Sequence, residues 1–106
     1  LAVGAVGGIG GTYAAMPELY ERIFTLVRSG DILPARDIQD ACCHIIYKIC
    51  SGQGNMYAMI KEILRLRGAP DIGGVRAPLY PLQPGDEAIA ASCAADIDAA
   101  IAKFCK

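Results

Sequence analysis

From Leu1 to Pro17 the chain carries no charged side chain, and within that run Gly7-Gly8-Ile9-Gly10-Gly11 places glycine at four of five positions. A backbone so poor in Cβ atoms can take positive φ and can approach a ligand or another backbone closely. The flanking Val6 and the embedded Ile9 are β-branched, as a short buried strand requires. The stretch therefore reads as a strand that runs into glycines and then into a helix start. That is how α/β folds build ligand sites at strand ends. A tight turn whose glycines serve packing alone would have the same local pattern.

The familiar phosphate motifs are absent. After Gly8-Ile9-Gly10 a dinucleotide fingerprint needs its third glycine at position 13, which is Tyr13, and no lysine precedes Lys48, so there is no P-loop. Gly4/Gly8 and Gly7/Gly11 have the four-residue spacing of membrane helix dimers. The uncharged run is nevertheless only 17 residues long, with five glycines and a terminal proline, against the ~20 apolar residues of a spanning helix. It also lacks the positive start of a signal peptide. Both membrane readings are set aside.

With 106 residues the chain makes at most one small domain. Its formal net charge of −1 leaves no basic surface for nucleic acid, and no polybasic cluster suits anionic lipid. Hydrophobic residues make up 54%, more than a domain burying only ~60% of its surface would use. The expectation is that apolar surface packs against something else, and that a chain opening on Leu1 and a strand is a piece of a larger fold. The five cysteines are Cys42, Cys43, Cys50, Cys93 and Cys105. An odd number without a secretory signal does not build a disulfide framework. No Cys-x-x-Cys spacing exists, and His44 directly follows Cys43, so the two point to different helix faces and no zinc site is expected. Reduced, mostly buried thiols in a cytoplasmic protein are the expectation.

Beyond the glycines the pattern is helical. Met16-Pro17-Glu18 opens a helix, with proline tolerated in the first turn and Glu18 at the positive end of the dipole. Leu19, Ile23, Leu26 and Val27 recur at helical spacing, and Gly30 closes the element. Asp31 caps the next helix, whose stripe is Ile38, Ala41, Cys42, Ile45, Ile46 and Ile49. Ser51-Gly52-Gln53-Gly54 interrupts, and Asn55 caps a third helix with Met56, Met59, Ile60, Ile63 and Leu64 on one face, ending at Gly68. A proline- and glycine-rich stretch from Ala69 to about Pro84 follows, long enough to be functional or to lie across a larger surface. A last helix from about Asp86 to Phe104 puts Ile89, Cys93, Ile97, Ile101 and Phe104 on one side, and its many alanines let another helix approach closely. There is no internal repeat.

Other candidate chemistry is thin. Asp40 and His44 have the spacing of a carboxylate-oriented imidazole, but with no nucleophile beside them a solvated polar face is the better reading. Lys61 and Arg65 also read as a solvated face, and Asp96 and Asp98 are two apart and cannot meet on a helix. Arg76, in the proline-fixed segment Val75-Arg76-Ala77-Pro78-Leu79, is expected to clamp helix C-terminal carbonyls or a carboxylate.

The order of these elements is itself distinctive. Gly4-Ala5-Val6-Gly7-Gly8-Ile9-Gly10-Gly11-Thr12-Tyr13, a helix ending at Ser29-Gly30-Asp31, two more helices, Gly74-Val75-Arg76-Ala77-Pro78-Leu79 and a final helix resemble the C-terminal part of the N-acetylneuraminate lyase and dihydrodipicolinate synthase family. The resemblance covers essentially the whole chain but only about the last third of a family member. It implies a TIM (β/α)8 barrel, with Leu1–Gly4 ending the seventh helix, Val6–Ile9 as the eighth and last strand, and residues 17–30 as the eighth helix. Residues 1–30 would then end the barrel and residues 31–106 form a three-helix C-terminal extension, so the chain as it stands is mainly α.

The family comprises class I aldolases that form a Schiff base between a lysine and pyruvate or another 2-oxo acid. They are commonly homotetramers and need no metal or cofactor. The Schiff-base lysine, the tyrosine acid/base and the carboxylate-binding loop lie on earlier strands, so no catalytic residue is expected in this chain, and alone it should be inactive. What carries over is the substrate-binding strand end: the backbone of Ile9, then Gly10, Gly11 and Thr12. In sialic-acid lyases the position of Gly11 is typically serine and that of Ala14 typically asparagine, and both departures count against sialic acid itself as substrate. The implied function is a fragment of a pyruvate-dependent lyase nearest the sialic-acid lyases. The alternatives are dihydrodipicolinate synthase or another 2-oxo-acid lyase, or a non-catalytic helical interaction module.

Overall fold

Helix α1, Pro17–Ser29, begins where Pro17 supplies a preset φ and Glu18 an acidic first turn, and it ends where Gly30 turns left-handed at φ 88°. That cap lets the Gly30 and Asp31 amides close onto the Val27 and Leu26 carbonyls. A side chain at position 30 would be strained in this conformation, which is why glycine ends the helix. Helix α2, Ile32–Ile49, follows at once. Its N-cap is Asp31 as expected, but the carboxylate makes no capping bond; it accepts from the Ser29 hydroxyl at 2.8 Å instead. Helix α3, Met56–Leu66, is capped by Asn55, whose side chain accepts the Tyr57 amide at 2.9 Å. Helix α4 spans Asp86–Phe104. The computed structural model describes every residue from Leu1 to Lys106.

One continuous core joins all four helices. Leu19, Ile23 and Leu26 of α1, Ile38, Cys42, Ile45 and Ile49 of α2, Met59, Ile60 and Ile63 of α3, and Cys93 and Ile97 of α4 are buried in it. Each large side chain so buried contributes about 1.5–3 kcal/mol relative to exposure. Helix α2 packs against α1 and α4, and α3 packs against α4, so α4 and α2 form the middle of the molecule.

The chain is mainly α, as expected. Val6–Ile9, read as a strand, forms no ladder here. A strand is stabilised by hydrogen bonds to a neighbour, and all the regular elements of this chain are helical. Leu1–Gly4, expected to end a helix, makes one turn closed by the Gly4 amide on the Leu1 carbonyl at 3.0 Å. No helix is long and apolar enough to cross a membrane.

Candidate functional site

The glycine run leads into a single 3-10 turn, Gly11–Ala14, set against the start of α1. Its tight shape depends on Tyr13. The Tyr13 ring lies back over the preceding chain, so that a Cβ at Gly10 would fall 2.5 Å from the ring and one at Gly8 2.5 Å from its hydroxyl. With the ring in this position, a side chain at 8 or 10 would have to push it aside. The ring also packs at a tilt of 37° on Tyr20 of α1, centroids 4.1 Å apart. The Tyr20 hydroxyl pairs with the Thr12 hydroxyl at 2.7 Å. Burial raises the Tyr20 phenol above its ordinary pKa, partly opposed by the bond to Thr12.

The four expected site residues occupy different environments. Ile9 extends its side chain fully into solvent, Gly10 is half-buried, and Gly11 is exposed at the outer edge of the turn. Thr12 is only 6% exposed and its hydroxyl is taken by Tyr20. Within this chain Thr12 thus holds the turn together from below, while Gly10 and Gly11 present bare backbone.

Two residues that spacing alone did not single out complete the surroundings. Tyr57, in the first turn of α3, puts its ring edge 3.0 Å and its hydroxyl 3.7 Å from the point a Cβ would occupy on Gly11. Arg67, the C-cap of α3, donates to the buried carbonyl of Ala15, bonds Asp98 of α4 at 3.1 Å and lies 3.7 Å from Glu18 of α1. This is the clamp expected of Arg76, moved to a different arginine. Arg76 itself is exposed, and its backbone carbonyl accepts the Leu79 amide while its guanidinium makes no bond. It lies in an exposed part of the proline-rich segment, whereas position 67 ends α3 beside the turn.

The remaining candidates resolve as structural. His44 Nδ1 meets the Asp40 backbone carbonyl at 2.8 Å rather than the carboxylate, and both residues are exposed. Lys61 and Arg65 do more than face solvent. Lys61 donates to the Gly74 carbonyl and so ties the long loop to α3, while Arg65 forks onto Glu62 and holds that carboxyl below its usual range. All five cysteines are free thiols. Burial pushes Cys42 up to about 11, with Cys43 and Cys105 adding to it, and burial also raises Cys93 and Cys105. Such thiols are poor nucleophiles. Only Cys42 and Cys93 are buried, while Cys43 and Cys105 are half-buried and Cys50 is exposed, so fewer thiols are buried than expected.

The four lysines are equally unsuited to imine chemistry. Lys48 is paired with Asp96 at 2.6 Å and also donates to Ser92, Lys61 serves the loop, Lys103 sits 4.7 Å over the Phe104 ring, and Lys106 ends the chain. None adjoins the Gly11–Ala14 turn. A Schiff-base lysine needs a desolvated pocket or a neighbouring cation, and a carboxylate partner on a helix surface is neither.

Known proteins are similar to this chain over most of its length. The N-acetylneuraminate lyase of Mediterraneibacter gnavus is 48% identical over 102 residues, which is 96% of this chain and 32% of that protein. N-acetylneuraminate lyase 2 of Escherichia coli is 35% identical over 83 residues, 78% of this chain and 27% of its own length. The solved structure of wild-type Ruminococcus gnavus sialic acid aldolase superposes with a TM-score of 0.93 at 48% identity, covering 96% of this chain and 34% of that one. A mutant of that aldolase's catalytic lysine superposes equally well. The chain thus spans about a third of the length of the relatives it matches. The profile of the Dihydrodipicolinate synthetase family matches residues 1–97, and the chain belongs to that family.

Proposed function

We propose that this chain is the C-terminal third of a class I aldolase that cleaves a sialic-acid-like 2-oxo acid to pyruvate and an aldehyde, through a lysine Schiff base formed on another part of the protein. The observation that carries the reading is the near end-to-end match to a sialic acid aldolase, 48% identical with a TM-score of 0.93 over 96% of this chain. On this reading residues 1–30 close a TIM barrel, with Val6–Ile9 as its last strand, and residues 31–106 are a helical extension. Ile9, Gly10, Gly11 and Thr12 then lie at the C-terminal mouth of the barrel, where such enzymes bind substrate. The substrate is a small molecule, and the complete protein is a cytoplasmic homo-oligomer. A second reading, another 2-oxo-acid lyase of the family, draws on Gly11 and Ala14, which lack the side chains typical of sialic-acid lyases at those positions.

The partners of Lys48, Lys61 and Lys103 support a reading in which the imine forms elsewhere. Incubated alone with pyruvate and borohydride, the chain is expected to gain no adduct by mass spectrometry. The complete protein is expected to gain one, on a lysine outside residues 1–106, and to release pyruvate from N-acetylneuraminate. A stoichiometric adduct on a lysine of this chain would overturn the assignment. Pyruvate release from other sugar-derived 2-oxo acids, but not from N-acetylneuraminate, would select the second reading.

A further inference from the structure

Resting on that proposed site, we infer that Asp86 is a positioning residue, its buried carboxylate fixing where the first turn of α3 stands beside Gly11. The Ser51-Gly52-Gln53-Gly54 break between α2 and α3 lies outside the helices, yet it decides where α3 begins. It is held from the far side of α3. Asp86, in the first turn of α4 and 1% exposed, accepts the Gln53 amide on Oδ1 at 2.9 Å and the Gly54 amide on Oδ2 at 2.8 Å. Oδ2 also accepts the Gln83 amide at 2.8 Å. Bonds from backbone amides to a carboxylate are charge-assisted and roughly twice as strong as neutral ones.

Consecutive residues carry this seat to the site. Next to Gly54, the Asn55 amide donates to the Tyr80 carbonyl at 3.0 Å, and the Asn55 side chain accepts the Tyr57 amide at 2.9 Å. The Tyr57 ring then stands 3.0 Å from where a Cβ on Gly11 would be. With the amides of Gln53, Gly54, Asn55 and Tyr57 all bound, the short path from the carboxylate to Gly11 has little slack. The glycines of the break fit the same role. A Cβ at Gly54 would fall 2.7 Å from the Pro81 carbonyl oxygen and 2.9 Å from Asp86 Oδ2, and one at Gly52 3.1 Å from Oδ1. Their absence lets the backbone close onto the carboxylate. In the proposed reaction the pyruvate half of the substrate is tied to a lysine elsewhere in the protein. Displacing the first turn of α3 is therefore felt by the sugar-derived half.

The test uses the complete enzyme, assayed well below the Tm of each variant. Asp86→Asn leaves one acceptor oxygen and turns an amino group, itself a donor, toward the three amides. It is expected to raise KM for the sugar-derived 2-oxo acid by roughly 3- to 30-fold, short of the ~100-fold that an ångström of misplacement can cost. KM for pyruvate in the condensation direction is expected to stay unchanged, the pattern of binding lost at one end of the substrate. Gly54→Ala keeps the carboxylate and pushes the loop off Pro81. It is expected to raise the same KM, and it decides the matter if Asp86→Asn does not fold. Ile45→Val, in the core stripe of α2, is expected to lower Tm and leave both KM values as they were. The inference is overturned, while the aldolase reading stands, if the folded variant leaves the sugar-acid KM unchanged or raises both KM values equally. It is overturned too if Ile45→Val raises the sugar-acid KM as much. If the unmodified enzyme releases pyruvate from no sugar-derived 2-oxo acid, the aldolase reading falls and takes the inference with it.

Discussion

Asp86 shows how much one side chain can organise. It is 1% exposed, and its carboxylate accepts the backbone amides of Gln83 at 2.8 Å, Gln53 at 2.9 Å and Gly54 at 2.8 Å. It thereby binds the α2–α3 loop and the end of the long loop to the start of α4. These bonds, the one from Gln83 foremost, hold its pKa below the usual aspartate value despite opposing desolvation. Because the folded pKa is the depressed one, the stabilisation is complete above the unfolded value of about 3.9 and is lost as pH falls through the lower folded value. Asp86→Asn is therefore expected to lower Tm at neutral pH and to flatten the fall of Tm with acid below about pH 4. Equal acid slopes for variant and parent by calorimetry would refute this role. Arg67 shows a different balance. Its pairs with Asp98 and Glu18 reach partners 66% and 45% exposed and contribute about 0–1 kcal/mol each. Its bond to the buried Ala15 carbonyl matters more, since leaving such a group unpaired costs about 1–3 kcal/mol.

At the scale of elements, α4 departs most from its pattern. The expected stripe ran through Ile89, Cys93, Ile97, Ile101 and Phe104, but the most buried positions are Ala90, Cys93, Ala94, Ile97 and Ala100, with Ile89, Ile101 and Phe104 at the margin. The alanines are buried because α2 and α3 both pack against this helix, and small side chains let backbones come close. A helix covered from two sides opens only when the core opens, and α2 is likewise covered by α1 and α4. The slowest amide exchange is therefore expected across Ile38–Ile49 and Ile89–Ile101, approaching the global unfolding free energy. Exchange across Gly4–Gly10 should be fast, as no amide there has a partner beyond the Gly4 turn. Slowest exchange in residues 1–15 would contradict this organisation.

Over the whole molecule, the most exposed apolar side chains lie in the first nine residues. Val3, Val6 and Ile9 are 95% or more exposed, and a groove of about 730 Å³ runs between the first residues and the α1–α2 pair, lined by Leu1, Tyr20, Phe24, Val27 and Ile32 among others. An unpaired extended segment beside an apolar groove is a template for association. The chain on its own is expected to self-associate with rising concentration in sedimentation velocity. A monomer at every concentration, with protected amides at Val6–Ile9, would refute it.

The helices, their ends and most of their buried faces were legible in the residues, because helix formation and capping are local. Pro17, Gly30 and Asn55 act within a turn of themselves, and an apolar residue every third or fourth position declares a face whatever it packs on. The turn's surroundings were decided only by the tertiary structure. Tyr57 and Arg67 reach Gly11 and Ala15 from far along the chain, and no periodicity marks a contact made when α3 docks. Arg67 rather than Arg76 became the clamp for the same reason, since five donors suit either place and only packing brings one of them to an open carbonyl. The glycines that led the sequence reading permit a strand, a turn or a close approach. Which of these each glycine becomes depends on what arrives beside it: the Tyr13 ring at Gly8 and Gly10, the Tyr57 ring at Gly11, and no neighbouring strand at Val6–Ile9.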